Sequence, residues 1–430
     1  MAKGNICINK SIAKEVVDGK IIQDIPEAEH NGEMFPLFTV IPPTQCSVCG
    51  SKLRPNENYD RSIISSYSII VCPTTYWICT NKMCKKHHTD KIIGVTGSAN
   101  YSDEFIEKVN CIRYGSHCSL WNTRFAGEIF TVGLTDDSGR APCATTIWKY
   151  EQIQGRISSE ELSNQKIDFN GKLYIDGYWV KAGWRKYIES QIGRKFTTRQ
   201  WKRIRNKIIY VVATEDYVVL DFQITNNMPS YLELLPLLKR IKNRVPEEKI
   251  LKFVSDEDSA IIGSVKAVFP NVSHSFCFFH QLKNVTKKYL DEFGKIENIP
   301  HFDRQIYELA TDLILSESVI HLLVNYRNIM EMVSNGIGSK ASEKVFEYIK
   351  EIYGKNKELL EAGLTPETNN VMEQLFSMIN DFVNQVRSFK TKSGLANFFY
   401  NLFAFVNKRK FNTGKWKGHS PLKRAIKNCG

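Results

Sequence analysis

Three acidic residues stand where apolar runs end or helices begin: Asp176 within KLYIDGYWV (172–180), Asp256 within VSDED (254–258) and Glu373 within TNNVME (368–373). Carboxylates so far apart in sequence serve one chemistry only if a fold gathers them. The chemistry that suits them is two-metal phosphoryl transfer, in which two Mg²⁺ (or Mn²⁺) ions are held by few carboxylates and the substrate phosphate completes the shell. Neighbouring acids compete for the role. Glu257 and Asp258 read as capping or helix-dipole carboxylates at a helix start. Glu367 precedes the Asn pair and is expected at the surface.

A second set of residues suits a different metal. PTQCSVCG (43–50) is a knuckle in which Cys46 and Cys49 approach one ion and Gly50 permits the left-handed turn. YWICTNKMCKKHH (76–88) supplies Cys79 and Cys84, for a zinc ribbon with four sulfur ligands. A variant uses Cys84 with His87 or His88, and Cys72 is a spare thiol. The β-rich stretch 62–77 suits the ribbon strands. Eleven cysteines are an odd number, and in a reducing setting thiols or metal ligands are preferred to disulfides.

The elements that must position these groups can be read from periodicity. Strands are expected at 173–180, 207–213, 217–224 and 250–254, with a turn at 214–216, and a helix at 231–241. A helix, a strand through Phe276 and a further helix follow Asp256. Val371, Leu375, Met378, Ile379 and Phe382 repeat at helical spacing behind a cap at 368–370, so Glu373 falls in a first turn. Helical patterns at 307–315, 319–332 and 341–353 predict an all-α insertion. Upstream, Phe125, Ile129 and Phe130 suggest one amphipathic helix, 133–139 a Gly-bearing turn, and PCATTIWKYEQIQ (142–154) a second helix. There Ile147 with Tyr150 or Glu151 would face inward and Thr145, Thr146 and Lys149 outward, as in a helix-turn-helix reading a major groove.

FPNVSHSFCFFHQLKN (269–284) carries a resemblance to a known family. An aspartate at a strand end (Asp256), a helix (260–268), an FPN turn (269–271) and a C-x-x-H pair (Cys277, His280) follow one another as in DDE transposases of the Mutator-like and related prokaryotic insertion-sequence group. GHSP (418–421) is similar too, and the likeness covers roughly 166–425. It implies a mixed α/β fold with a ribonuclease-H-like core, in which Asp176 bridges both Mg²⁺ ions and Asp256 and Glu373 hold one each. Cys277 and His280 would have a structural or DNA-positioning role near the site. The implied partners are double-stranded DNA, both the element's terminal inverted repeats and the target, with a homo-oligomer assembled on it. The implied organisation is a lead-in (1–40), a zinc-ribbon-like module (41–95), a helix-turn-helix-like region (96–165), a first core segment (166–285), a helical insertion (286–365) and a last core segment with a basic tail (366–430). A structure-specific nuclease of the same fold and a domesticated DNA-binding regulator are the alternatives.

Charge agrees with a polyanionic partner. The 430-residue chain has 58 Lys and Arg against 46 Asp and Glu, a net charge of +12. Ten basic residues lie in 181–207 against Glu189 alone, and eleven follow from 382 onward with no acid. Lys202, Arg203 and Arg205 are candidate phosphate contacts. No stretch approaches the roughly 18 apolar residues of a spanning helix, and 1–20 has no secretory apolar segment. An intracellular protein is expected, in cytoplasm or nucleoid if prokaryotic and in the nucleus if eukaryotic, with no membrane partner.

Overall fold

The computed structural model describes residues 27–30, 33–36, 40–65, 69–96, 100–132, 141–165, 171–181, 185–204, 206–226, 229–386, 389 and 391–427. They fall into two compact units, Met1–Ile153 and Gln154–Gly430. None of the helices among the described residues is long and apolar enough to cross a membrane.

In the first unit, the expected irregular lead-in contains a short hairpin, β1 (Glu27–His30) with β2 (Glu33–Pro36). Strand β3 (Val40–Ile41) pairs with β7 (Lys91–Ile92), bracketing a sheet of β4 (Leu53–Ile64), β5 (Ile69–Cys79) and β6 (His87–Thr89). Their apolar residues close a small core of Val40, Ile63, Cys72, Ile92 and Val95, so Cys72 is a packing thiol. Helices α1 (Asp103–Gly115) and α2 (Leu120–Thr131) follow, then α3 (Ala144–Asn164), which runs across the boundary between the units. Ser102 and Ser119 cap α1 and α2 by accepting from Phe105 N and Asn122 N.

Two of the residues expected inward on α2 face outward. Phe125 and Ile129 are 70% and 69% exposed, the side chain of Phe130 lies outside the described residues, and among those described the buried positions are Thr123, Gly127 and Thr131. The reason is close approach: a Cβ on Gly127 would lie 3.0 Å from Ala141 Cβ and 3.3 Å from Val109 Cγ2, so small residues turn inward. The expected turn at 133–139 lies outside the described residues.

The second unit is built on a five-stranded sheet in the order β10-β9-β8-β11-β12. Strands β8 (Gly171–Lys181), β9 (Asn206–Thr214) and β10 (Val219–Asn226) form an antiparallel meander; β11 (Ile250–Ser255) and β12 (Ser273–Phe276) continue it parallel to β8. Strands β8 to β10 are long and strongly apolar because they are covered on both faces. One face, carrying Leu173, Ile175, Tyr210 and Phe253, packs on α6 (Tyr231–Lys242) and α7 (Ser259–Val268) through Leu234, Leu237, Leu238, Ile261 and Val265. The basic run between β8 and β9 forms α4 (Arg185–Ile192) and α5 (Thr198–Ile204).

Helix α8 (Phe278–Phe293) leads into α9 (His301–Ile314), α10 (Val319–Ser334) and α11 (Lys340–Glu361), which share a separate apolar core. That core includes Val285 and Tyr289, so the helical bundle begins inside α8. The chain returns through α12 (Asn370–Asn384), α13 (Lys392–Lys408) and α14 (Pro421–Lys427). On the second face of the sheet, Tyr178 meets Phe376 of α12 with ring centroids 5.4 Å apart, and Phe222 packs on Phe399 and Phe403 of α13.

Candidate functional site

Register dictates the centre of the site. Ser255 lies opposite Ile175 on one side and Phe276 on the other, all three strands running parallel. One residue further, Asp176, Asp256 and Cys277 therefore form a row across β8, β11 and β12, neighbours about 4.8 Å apart with side chains on one face. This is the carboxyl end of β11 and β12, where open α/β sheets offer a crevice to ligands. The face is also the one that α12 covers.

Asp176 accepts from Gly177 N at 2.6 Å and from Asn369 Nδ2 at 3.1 Å. Burial, and after it the neighbouring Asp256 carboxylate, pushes its carboxyl up to about 7. Gly177 has to be small, since a Cβ there would stand 2.7 Å from Ile208 Cγ2. Asp256 Oδ1 lies 2.8 Å from His280 Nδ1. The close Asp256 carboxylate, and after it Cys277, favours the charged imidazole and raises its pKa to about 10. The two facing atoms are shielded from solvent but miss good alignment: by the stricter geometry both lack a hydrogen-bond partner. We read the contact as an ion pair.

Cys277 is 1% exposed and precedes the first turn of α8. Its Sγ accepts from Asn369 N at 3.2 Å. Asp258 caps α7 by accepting from Ala260 N, and its second oxygen accepts from Tyr210 Oη at 2.7 Å. Glu257 accepts from Tyr348 Oη of α11 and from Asn284 Nδ2 of α8, so it ties the Asp256 loop to the helical bundle.

Glu373 is on the exposed side of the first turn of α12. Among the described residues, the potential metal-ligand groups with all donor atoms within 4.8 Å are Asp256, Cys277 and His280, and the four cysteines of the first unit; Asp176 and Glu373 belong to neither. The structure thus brings Asp176 and Asp256 side by side and leaves Glu373 apart, on the helix over the same face.

The surface position expected for Glu367 is incorrect. Its carboxylate takes Lys172 Nζ at 2.5 Å, Lys252 Nζ at 3.0 Å and Tyr174 Oη at 3.2 Å. Burial alone would raise its pKa, but Lys172 and Lys252 hold it below the ordinary value. Lys252, 1% exposed, also donates to Thr365 O at 2.8 Å. A lysine buried in a strand must find an acid, which was the signal in ILKFVS that points to Glu367. Asn369, expected only as part of the helix cap, has contacts that were not foreseen. It is fully buried, and besides its bonds to Asp176 and Cys277 its carbonyl accepts from Glu373 N at 3.1 Å.

In the first unit, Cys46 Sγ stands 3.8 Å from Cys84 Sγ, and Cys49 Sγ 3.4 Å from Cys79 Sγ. Four thiolates around zinc at about 2.3 Å would be about 3.8 Å apart, so the donor set and its spacing fit a metal ion. Gly50 adopts φ +69° and Lys85 φ +46°, giving both knuckles their turn. His88 Nε2 lies 3.3 Å from Cys46 Sγ as a neighbour of the cluster, and His87 is exposed.

On α3, Ile147, Tyr150 and Glu151 are buried; Thr145 and Lys149 are exposed and Thr146 is half-buried. Glu151 accepts from Arg113 Nε at 2.7 Å and Tyr114 Oη at 2.6 Å, which pins this helix to α1. Arg205 and the side chains of Lys202 and Arg203 lie outside the described residues.

Residues 209–284 match the family of the MULE transposase domain, whereas no curated protein matches the chain. The matched segment runs from β9 into α8 and contains Asp256, Cys277 and His280. Asp176 and Glu373 lie outside it. The similarity is to a MULE-type transposase domain and supports a transposase function for the chain.

Proposed function

We propose that this chain is a DNA transposase that cleaves element ends and joins them to target DNA at a ribonuclease-H-like DDE site made by Asp176, Asp256 and Glu373. The observation that carries the reading is that Asp176 and Asp256 each follow directly on the paired residues Ile175 and Ser255 of adjacent strands in a 3-2-1-4-5 sheet, the strand order of ribonuclease-H-like cores. Asp176, whose proton affinity is raised by burial and by the neighbouring Asp256 carboxylate, forms with it a donor pair that a hard divalent cation would relieve. Bound Mg²⁺ ions would supply activation of water or a 3′-hydroxyl and charge stabilisation at the leaving oxygen.

The chain's own part is positional. Asn369 and Gly177 orient the Asp176 carboxylate, the Glu367 anchor seats the segment before α12, and α12 presents Glu373 from over the same face. Asp176 would bridge two ions, with Asp256 and Glu373 completing one each. The four-cysteine cluster would hold Zn²⁺ as a ribbon, α3 would read terminal repeats, and the basic runs would neutralise phosphates of a duplex on which copies of the chain assemble.

The test is Mg²⁺-dependent cleavage of a duplex carrying the element's end. Asp176→Asn, Asp256→Asn and Glu373→Gln should each lower the rate by about a hundredfold or more while leaving duplex binding intact. Asp258→Asn, which keeps a capping oxygen, should cleave like wild type. Near wild-type cleavage by any one of the three would remove that residue from the site.

A further inference from the structure

Three residues around the end of β11 have the donor atoms of a softer metal site. Asp256 offers a carboxylate, Cys277 a thiol and His280 Nδ1, and these atoms all lie within 4.8 Å of one another. They come from a strand end, a helix N-cap and the first helical turn, so the fold has already paid the closure entropy. In a tetrahedral zinc site, nitrogen and sulfur ligands stand about 3.5 Å apart and two N/O ligands about 3.3 Å apart. The 2.8 Å between Asp256 Oδ1 and His280 Nδ1 would need to open by only a few tenths of an ångström.

Two further observations point to a ligand. Asp256 Oδ1 and His280 Nδ1 are both buried atoms without an aligned hydrogen bond, 2.8 Å apart. The Cys277 sulfur receives a backbone N–H from Asn369 at 3.2 Å, an outer contact that orients it as a ligand. Asp256 and His280 keep 27% and 29% of their side chains exposed, which leaves an entry path and a position for water. The positive end of α8 opposes a cation, but a carboxylate and a thiolate bring two negative charges against it.

We propose that Asp256, Cys277 and His280 form a site for one thiophilic divalent cation, of the Zn²⁺ class, that takes Asp256 away from Asp176 when it is filled. Binding replaces the proton between His280 and Asp256 and the thiol proton of Cys277, releasing both to solvent. Mg²⁺ avoids thiolate and imidazole, whereas zinc accepts all three donors. The shared Asp256 therefore makes the two occupancies exclusive, and zinc inhibits. The binding half stands alone; the inhibitory half rests on the proposed phosphoryl-transfer reading.

The experiment titrates the full chain with Zn²⁺ after the N-terminal cysteine cluster has been loaded, in parallel with Cys277→Ala, His280→Gln and the core-thiol control Cys72→Ala. One additional equivalent should bind, weakened at least about tenfold in the first two variants and unchanged in the control. His280→Gln, at a partly exposed position, carries the test if the buried Cys277 variant fails to fold. Absence of the additional equivalent, or binding indifferent to His280→Gln, overturns the site. In cleavage assays zinc should inhibit wild type and a chelator should restore it, while the residual rate of His280→Gln should be insensitive to zinc. Zinc binding without inhibition of a cleaving protein overturns the exclusive sharing of Asp256. A chain that cleaves no DNA overturns the transposase reading instead, and the stoichiometry still decides the site.

Discussion

Asp176→Asn should cost activity and yet stabilise the metal-free protein above neutral pH. The carboxyl moves from an ordinary 3.8 to about 7 on folding, by burial and then by Asp256. A raised acid favours the folded state while it is protonated. Its contribution is present below the unfolded value and is lost as pH climbs through the folded one. Roughly three pH units at 1.36 kcal/mol each set a ceiling of about 4 kcal/mol lost by wild type at pH 8. The asparagine loses nothing to pH, but its amide offers one acceptor where Asp176 used two, toward Gly177 N and Asn369 Nδ2. That costs about 1 kcal/mol at every pH. The variant should therefore be slightly the less stable near pH 4 and the more stable by about 1 to 3 kcal/mol at pH 8, with the curves crossing between. Calorimetric melting of both proteins in metal-free buffer across this range measures it, and added Mg²⁺ should raise the wild-type midpoint more than the variant's. A gap that stays constant with pH, or a variant less stable at pH 8, would refute the picture of an Asp176 carboxylate shielded from water and apposed to Asp256.

Purified protein should contain zinc, and Cys46→Ser or Cys49→Ser should release it and unfold the ribbon while the sheet of the second unit stays folded, because small metal modules draw their folding energy from the ion. Elemental analysis with circular dichroism checks both halves; zinc-free, folded protein would reject the assignment. Changing Thr145, Thr146 and Lys149 together to Ala should weaken binding to the element's ends more than to random duplex, since base contacts carry sequence information. Changing Lys202, Arg203 and Arg205 should weaken both equally and flatten the salt dependence by about one unit of slope per lost phosphate contact. Equal losses from the first set would make α3 a packing element or a backbone clamp, with specificity elsewhere.

What could be read from the chain follows from how local each signal is. Strands β9, β10 and β11 announce themselves by apolar runs bounded by turn residues, and α6, α10 and α12 by period. Asp176 and Asp256 stood out because an acid in an apolar strand is costly without a purpose. The inward side of α2 was misread because Phe125 and Ile129 suggested a buried stripe, whereas the helix meets its neighbours through Gly127, and close approach leaves no hydrophobic trace in sequence. Glu367 and Asn369 were harder still. Their partners Lys172, Lys252 and Asp176 lie more than a hundred residues earlier in the chain, and nothing in PETNN distinguishes an anchored turn from a solvated one.

Those two residues decide how Glu373, the third acid of the proposed site, is held. Helix α12 begins at Asn369, whose side chain makes no capping bond of its own; its amide reaches Asp176 instead. The helix start thus gives up a cap worth about 1 kcal/mol, and Glu367, clamped by two lysines, takes over the task of fixing where α12 starts. The distance from Glu373 to Asp176 is therefore governed by a salt-bridged turn and a single buried amide, one helical turn from the acid they place. A constellation can be sought in sequence by looking for its acids, but the residues that hold an acid in place are found only where the strands have already been brought together.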